Sequence, residues 1–141
     1  MDDKELEDIK KIQELTKEDL QSLFNLIPEI KNTKTFYKEK PKLNDGKTIE
    51  MRYPEEAEVV WKFHDLVYKI PIIISFDWPS WEEGREIIND DDYDFNSLDI
   101  VAICKLITAI VRNERFCEGA LLSAFRNGTM LKLLLAIESK F

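Results

Sequence analysis

Residues 98–111 constrain the fold more than any other stretch of this chain. Apart from Asp99 at its start, the run from Leu98 to Val111 is apolar nearly all round at helical spacing. Only Lys105, Thr108 and, one residue further on, Arg112 make a polar strip, at steps of three and four. A helix of that kind cannot face solvent; it has to be surrounded by other elements. The chain is therefore expected to wrap helices around a central one. The character changes abruptly where that helix ends, at Arg112-Asn113-Glu114-Arg115-Phe116-Cys117-Glu118-Gly119. Charged groups beside a core are costly unless paired, so this cluster is expected to have a task, structural or functional.

Apolar periodicity supplies the surrounding elements. Leu6, Ile9, Ile12 and Leu15 put an amphipathic helix over residues 3–15. Thr16 with Asp19 reads as a variant capping box for a second helix carrying Leu20, Leu23, Phe24 and Ile27, which Pro28 breaks or restarts. Residues 33–53 alternate instead. Ile49, Met51 and Tyr53 face one way, and Asn44-Asp45-Gly46 is a turn signal, so a short hairpin or extended arm is expected near residues 35–53. Pro54 suits the first turn of the next helix, with Glu55 and Glu56 at its positive end. Ala57, Val60, Trp61, His64, Val67 and Tyr68 form its stripe, and Pro71 closes it. Ser80-Trp81-Glu82-Glu83 reads as a capping box opening a helix to Asn89, and Asn96 or Ser97 as the cap of the central helix. Cys117–Phe125 is read as a helix stopped by Asn127-Gly128. Thr129 then caps a leucine-rich last helix, Met130–Lys140. The expected fold is all-α, a compact bundle of six to seven helices with a small hairpin arm, in one domain over residues 1–141.

Charge narrows the function classes. The net charge is −8, and it is segregated. Residues 82–99 hold eight acids against Arg85 alone, residues 1–19 eight acids against four lysines, and residues 31–52 seven bases against three acids. An acidic protein repels phosphates at long range, which argues against direct nucleic-acid binding. The acidic run does leave open an acidic nucleic-acid mimic. The acidic, polar start at Met1-Asp2-Asp3-Lys4-Glu5 has no secretory pattern, and no apolar run reaches the ~18 residues of a membrane span. A cytoplasmic setting follows as the expectation. Cys104 and Cys117 have no metal-ligand spacing and read as buried, reduced thiols.

Few residues could carry chemistry. Arg112 and Arg115, three apart on one helix face, could grip a phosphate or carboxylate. Alternatively Arg115 pairs with Glu118 and Arg112 sits where the helix dipole favours a cation; the structural use is preferred. Trp78 and Trp81 could line a pocket or anchor a core, and core packing is preferred. His64, the one histidine, excludes a histidine metal cluster and has no triad partner. It reads as a boundary residue. Asp90, Asp92 and Asp94 imitate a calcium loop, but Phe95 and Val101 stand where glycine and a bidentate glutamate are needed. No glycine pattern cradles a phosphate. No cofactor or metal is called for.

Three strings, in order, carry a resemblance: Met51-x-Tyr53-Pro54 before the Trp61 helix, Phe76-Asp77-Trp78-x-x-Trp81, and Arg112-x-x-Arg115-Phe116-x-Glu118-Gly119-x-Leu121 followed by Gly128. Over residues 46–139 this order resembles a family of small prokaryotic and phage proteins known only as a domain of unknown function. The resemblance implies a fold and a setting but no activity. From the residues, the leading expectation is a non-enzymatic protein-interaction module, binding an unknown protein partner or its own copy. Met130, Leu131, Leu133, Leu134, Leu135 and Ile137 cover more than one face of the last helix and suggest a homodimer through it. The rival is a small anionic-ligand site or enzyme built on Arg112, Arg115, Glu118, Trp78 and Trp81.

Overall fold

In the computed structural model the described residues are 3–33, 37–38, 55–56 and 58–141. They form eight α-helices: α1 (Asp3–Gln13), α2 (Lys17–Phe24), α3 (Leu26–Asn32), α4 (Glu58–Lys69), α5 (Glu82–Asn89), α6 (Ile100–Asn113), α7 (Ala120–Arg126) and α8 (Thr129–Glu138). Trp78–Ser80 and Phe95–Ser97 are 3-10 turns. Two-residue strands β1 (Tyr37–Lys38) and β2 (Glu55–Glu56) pair antiparallel, Tyr37 opposite Glu56 and Lys38 opposite Glu55. The fold is an all-α bundle, as expected. It has seven helices if α2 and α3 are taken as one bent rod. The bend follows from Pro28. Its ring disfavours the turn before it and it has no N–H to give Phe24, so the helix breaks at Asn25 and restarts with Pro28 in the first turn.

Several boundaries differ from expectation, each for a local reason. The helix expected from Pro54 starts at Glu58, and Glu55–Glu56 are strand rather than first turn. The expected turn at Asn44–Gly46 and the alternating run from Ile49 to Tyr53 lie outside the described residues. The capping box at Ser80 does not form. Ser80 is drawn into the 3-10 turn, the Trp81 N–H bonds the Trp78 carbonyl, and Trp81 itself is the N-cap of α5. Asp99, not Asn96 or Ser97, caps α6, its carboxylate accepting the Ala102 N–H at 2.7 Å. The Thr16–Asp19 box does form, in both directions. Gly128, with φ +84°, ends α7 and caps α8, so Thr129 is the first helical residue rather than the cap.

α6 occupies the centre, against α1, α5, α7, α8 and the Trp78–Ser80 turn. Ile103, Cys104, Leu106, Ile107 and Thr108 are fully buried on it. The polar strip has uses. Thr108 Oγ1 accepts the Ile74 N–H at 3.0 Å and donates to the Cys104 carbonyl at 2.8 Å. Lys105 lies 3.7 Å from Glu5 of α1 and 5.1 Å above the Phe76 ring. The buried Asp8 carboxylate accepts the Ser75 N–H at 2.9 Å and pairs with Lys4 at 3.3 Å. The Ile72–Phe76 connection thus has backbone donors met by side chains of α1 and α6, as buried amides require.

α4 buries Val59, Val60, Phe63 and Val67 and leaves Trp61 and Tyr68 about half exposed. The expected stripe was rotated. Its neighbours α2, α3 and α7 receive the β-branched and phenylalanine side, with Phe63 edge-on to Phe125 at 5.2 Å. α1 leaves Leu6 exposed. α8 is covered on both apolar flanks by α3, α6, α7 and the Phe95–Ser97 turn. Met130, Leu133, Leu134, Ala136 and Ile137 are buried, and Leu131 and Leu135 pack against the same core. The surface that suggested a homodimer is therefore used within the chain. Among the described residues no single helix is long and apolar enough to cross a membrane. α7 and α8 reach that length only together, across a 72° bend.

Candidate functional site

A cavity of about 330 Å³ lies over the outer side of α6, between α5 and α7. Each helix contributes one face to it. From the start of α5 come Trp81, Gly84, Arg85, Ile88 and Asn89, at i, i+3, i+4, i+7 and i+8. From α6 come Ala109, Ile110 and Asn113. From α7 and its end come Ala120, Ser123, Ala124 and Asn127, again at helical steps. Thr129 and Trp78 complete the wall. The cavity exists because α6 and α7 present alanine and serine where larger side chains would close it. Gly84 has a second role. A Cβ there would stand 2.6 Å from the Trp81 Cδ2 and Cζ3, and nearer still to Cε3. The indole lies directly on the helix backbone, which only glycine permits.

The wall combines flat apolar surface with polar groups of mixed kind. Trp81 is held edge-on by Phe76 at 5.5 Å, and Trp78 meets Phe116 at 5.9 Å on the rim. Trp81 also lines a second cavity of about 280 Å³ that reaches Asp99 and Lys105, so one indole partitions two spaces. Asn127 is occupied, its Oδ1 accepting the Thr129 N–H at 3.0 Å. Thr129 is only 8% exposed. Arg85 has no carboxylate partner among the described residues. Among the described residues the wall includes no Asp or Glu.

The residues singled out from sequence divide. Trp78 and Trp81 line this cavity. Arg112, Arg115 and Glu118 do not. Arg115 and Glu118 are exposed, and no ion pair joins them among the described residues. The expected i, i+3 bridge is absent because α6 ends at Asn113 and residues 114–119 are turns, in which three-residue spacing no longer aligns side chains. Arg112 stays in the last turn of α6, half-buried, with a buried Nε that has no hydrogen-bond partner among the described residues. The carboxylate that matters is Glu114. Its Oε2 accepts the Gly119 N–H at 2.9 Å and its Oε1 the Leu121 N–H at 3.0 Å, meeting donors that the start of α7 leaves free. Gly119, at φ +91°, makes the corner that brings them within reach.

The thiols also divide. Cys104 is buried, and burial, with a smaller push from the Asp99 charge, raises its thiol to about 12. Cys117, expected to be buried, is exposed in the 114–119 turns. His64 is half-buried between the rings of Trp61 and Tyr68, 5.9 and 5.2 Å away. The acidic loop spends its carboxylates on turns. Asp90 accepts the Asp92 N–H, and Asp94 the Asn96 N–H, both at 3.0 Å. Sequence reasoning missed Arg85, Asn89, Asn113 and Thr129. The signal for them was the small and polar face repeated on α7 opposite the single base of α5.

Residues 15–140 match the model of a family of unknown function (DUF6508). The chain belongs to that family. The match takes in α2 and α3, which the resemblance over residues 46–139 had left outside. No curated protein and no solved structure matches the chain.

Proposed function

With no activity to carry over from the family, we propose that the protein binds a small molecule between α5 and α7. One observation carries this reading. The Trp78–Trp81 cavity has the makeup of ligand sites, apolar surface with a few polar groups, and its size lies at the low end of the ~300–1,000 Å³ usual for them. The anionic clamp built on Arg112, Arg115 and Glu118 is replaced by a site in which Arg85 is the charged group. Ligand-detected NMR with indole, quinoline and benzoxazole tests the reading. Saturable binding, abolished in Ser123→Trp, is expected. Ser123 is exposed on the cavity wall, so the variant fills the space without touching the core. No binding of any of the three, or binding unchanged by Ser123→Trp, refutes it.

A second reading, the protein-interaction module, draws on a different surface. Trp61 is 51% and Tyr68 45% exposed on α4, with His64 between them. Exposed tryptophan and tyrosine are the side chains that anchor interfaces. Trp61→Ala and Tyr68→Ala would weaken a partner complex and leave the cavity's ligand binding intact.

A further inference from the structure

Resting on the small-molecule reading, we infer that the ligand is a flat ring system bearing a single acidic group, with Arg85 as the residue that selects it. The charge distribution carries the inference. The chain has 28 acidic residues against 20 basic ones, and α5 alone holds Glu82, Glu83 and Glu86, all exposed. Yet the helix turns these away from the cavity, while Arg85, one turn after Trp81, lines it. Without a carboxylate partner among the described residues, the guanidinium keeps its five donors for another acceptor. It offers a planar fork suited to a carboxylate, sulfonate or phosphate monoester.

The rest of the wall sets the remaining chemistry. Two indoles line the wall, and an aromatic wall favours a ring over a chain. Among the described residues Arg85 is the one cation on the wall, which answers one acidic group and leaves the further charge of a di- or triphosphate uncompensated. Asn89, Asn113 and Thr129 on the wall can bond a ring heteroatom or hydroxyl. The net charge of −8 means that no long-range steering brings an anion here. Selection acts at contact, through Arg85.

Three probes of one ring and different charge test this: indole, indole-3-acetate and tryptamine, titrated against wild type, Arg85→Gln and Arg85→Lys. Arg85 is exposed on α5, so the variants leave the core untouched. In wild type indole-3-acetate should bind about tenfold or more tighter than indole, the scale of a charge-assisted hydrogen bond, and tryptamine more weakly than either. Arg85→Gln should bring indole-3-acetate level with indole, and Arg85→Lys should restore part of the preference. If indole binds and indole-3-acetate binds no better, or if Arg85→Gln leaves the preference intact, the inference is overturned while the cavity remains a ligand site. If none of the three binds, both fall together.

Discussion

Gly84→Ala isolates the packing on which the cavity depends. Inside a helix this exchange ordinarily stabilises by ~0.5–1 kcal/mol, because alanine has less backbone freedom to lose. Here the new methyl would stand 2.6 Å from two atoms of the Trp81 indole, and carbon atoms settle at ~3.5–4.0 Å. The ring must retreat by about 1 Å against the Phe76 ring that holds it edge-on. Overpacking of this kind costs ~1–3 kcal/mol, which exceeds the helix gain. The expected net is a loss of about 1 kcal/mol or more, read as a fall in Tm of about 3–5 °C for a chain of this size. Tryptophan emission should shift as Trp81 moves. Pairing the change with Trp81→Leu removes the ring, and in that background Gly84→Ala should be neutral or stabilising, a coupling that a double-mutant cycle measures. A rise in Tm for Gly84→Ala in the native background would refute the reasoning, since it would mean that the indole does not lie on that backbone.

Three further outcomes are expected. Glu114→Ala should lower stability by about 1–2 kcal/mol, the scale of a lost helix cap, whereas Arg115→Ala and Glu118→Ala, both exposed, should stay within about 0.5 kcal/mol of wild type. Urea melts of the three rank them, and an Arg115→Ala loss equal to that of Glu114→Ala would restore the bridge expected from sequence. Thiol titration with a disulfide reagent at pH 8 should count one fast group, Cys117, and a second only in denaturant, because the Cys104 thiol, raised to about 12 by burial, stays protonated and covered; two fast groups would contradict the burial of α6. Sedimentation velocity should give one species at 16.6 kDa across micromolar concentrations, since the apolar side chains of α8 pack against the chain's own core; a concentration-dependent dimer would contradict this.

Sequence reasoning succeeded where the cause is local. The all-round apolar run of α6 forces a central position. Thr16 and Asp19 lie three residues apart and make their box without help from elsewhere, and Asn127-Gly128 stops α7 by backbone conformation alone. It failed where neighbouring candidates compete. Ser80 is taken up by the 3-10 turn at Trp78, and Asn96 and Ser97 by the turn at Phe95, which leaves Asp99 to cap α6. Glu118 and Glu114 are both plausible acids, and only the turn at Gly119 decides which one reaches α7. The cavity was legible in part. The two tryptophans stand out by type, but Arg85 and Thr129 gain meaning only when α5, α7 and the start of α8 meet around one cavity on α6, a tertiary arrangement that no periodicity encodes.

The Glu114 carboxylate also bears on the order in which the chain assembles. Its two bonds close over five and seven residues, whereas the bond from Ser75 to Asp8 that seats α1 spans 67. Loop-closure entropy grows with that span, and contacts near in sequence form first and fast. α6, α7 and α8 touch one another in all three pairings, within the last 42 residues of the chain counted from Ile100. This C-terminal third can turn its corner and gather its apolar faces before the amino-terminal helices arrive. By that argument the amino-terminal helices, whose contacts with α6 and α8 span the most sequence, would join a platform already built.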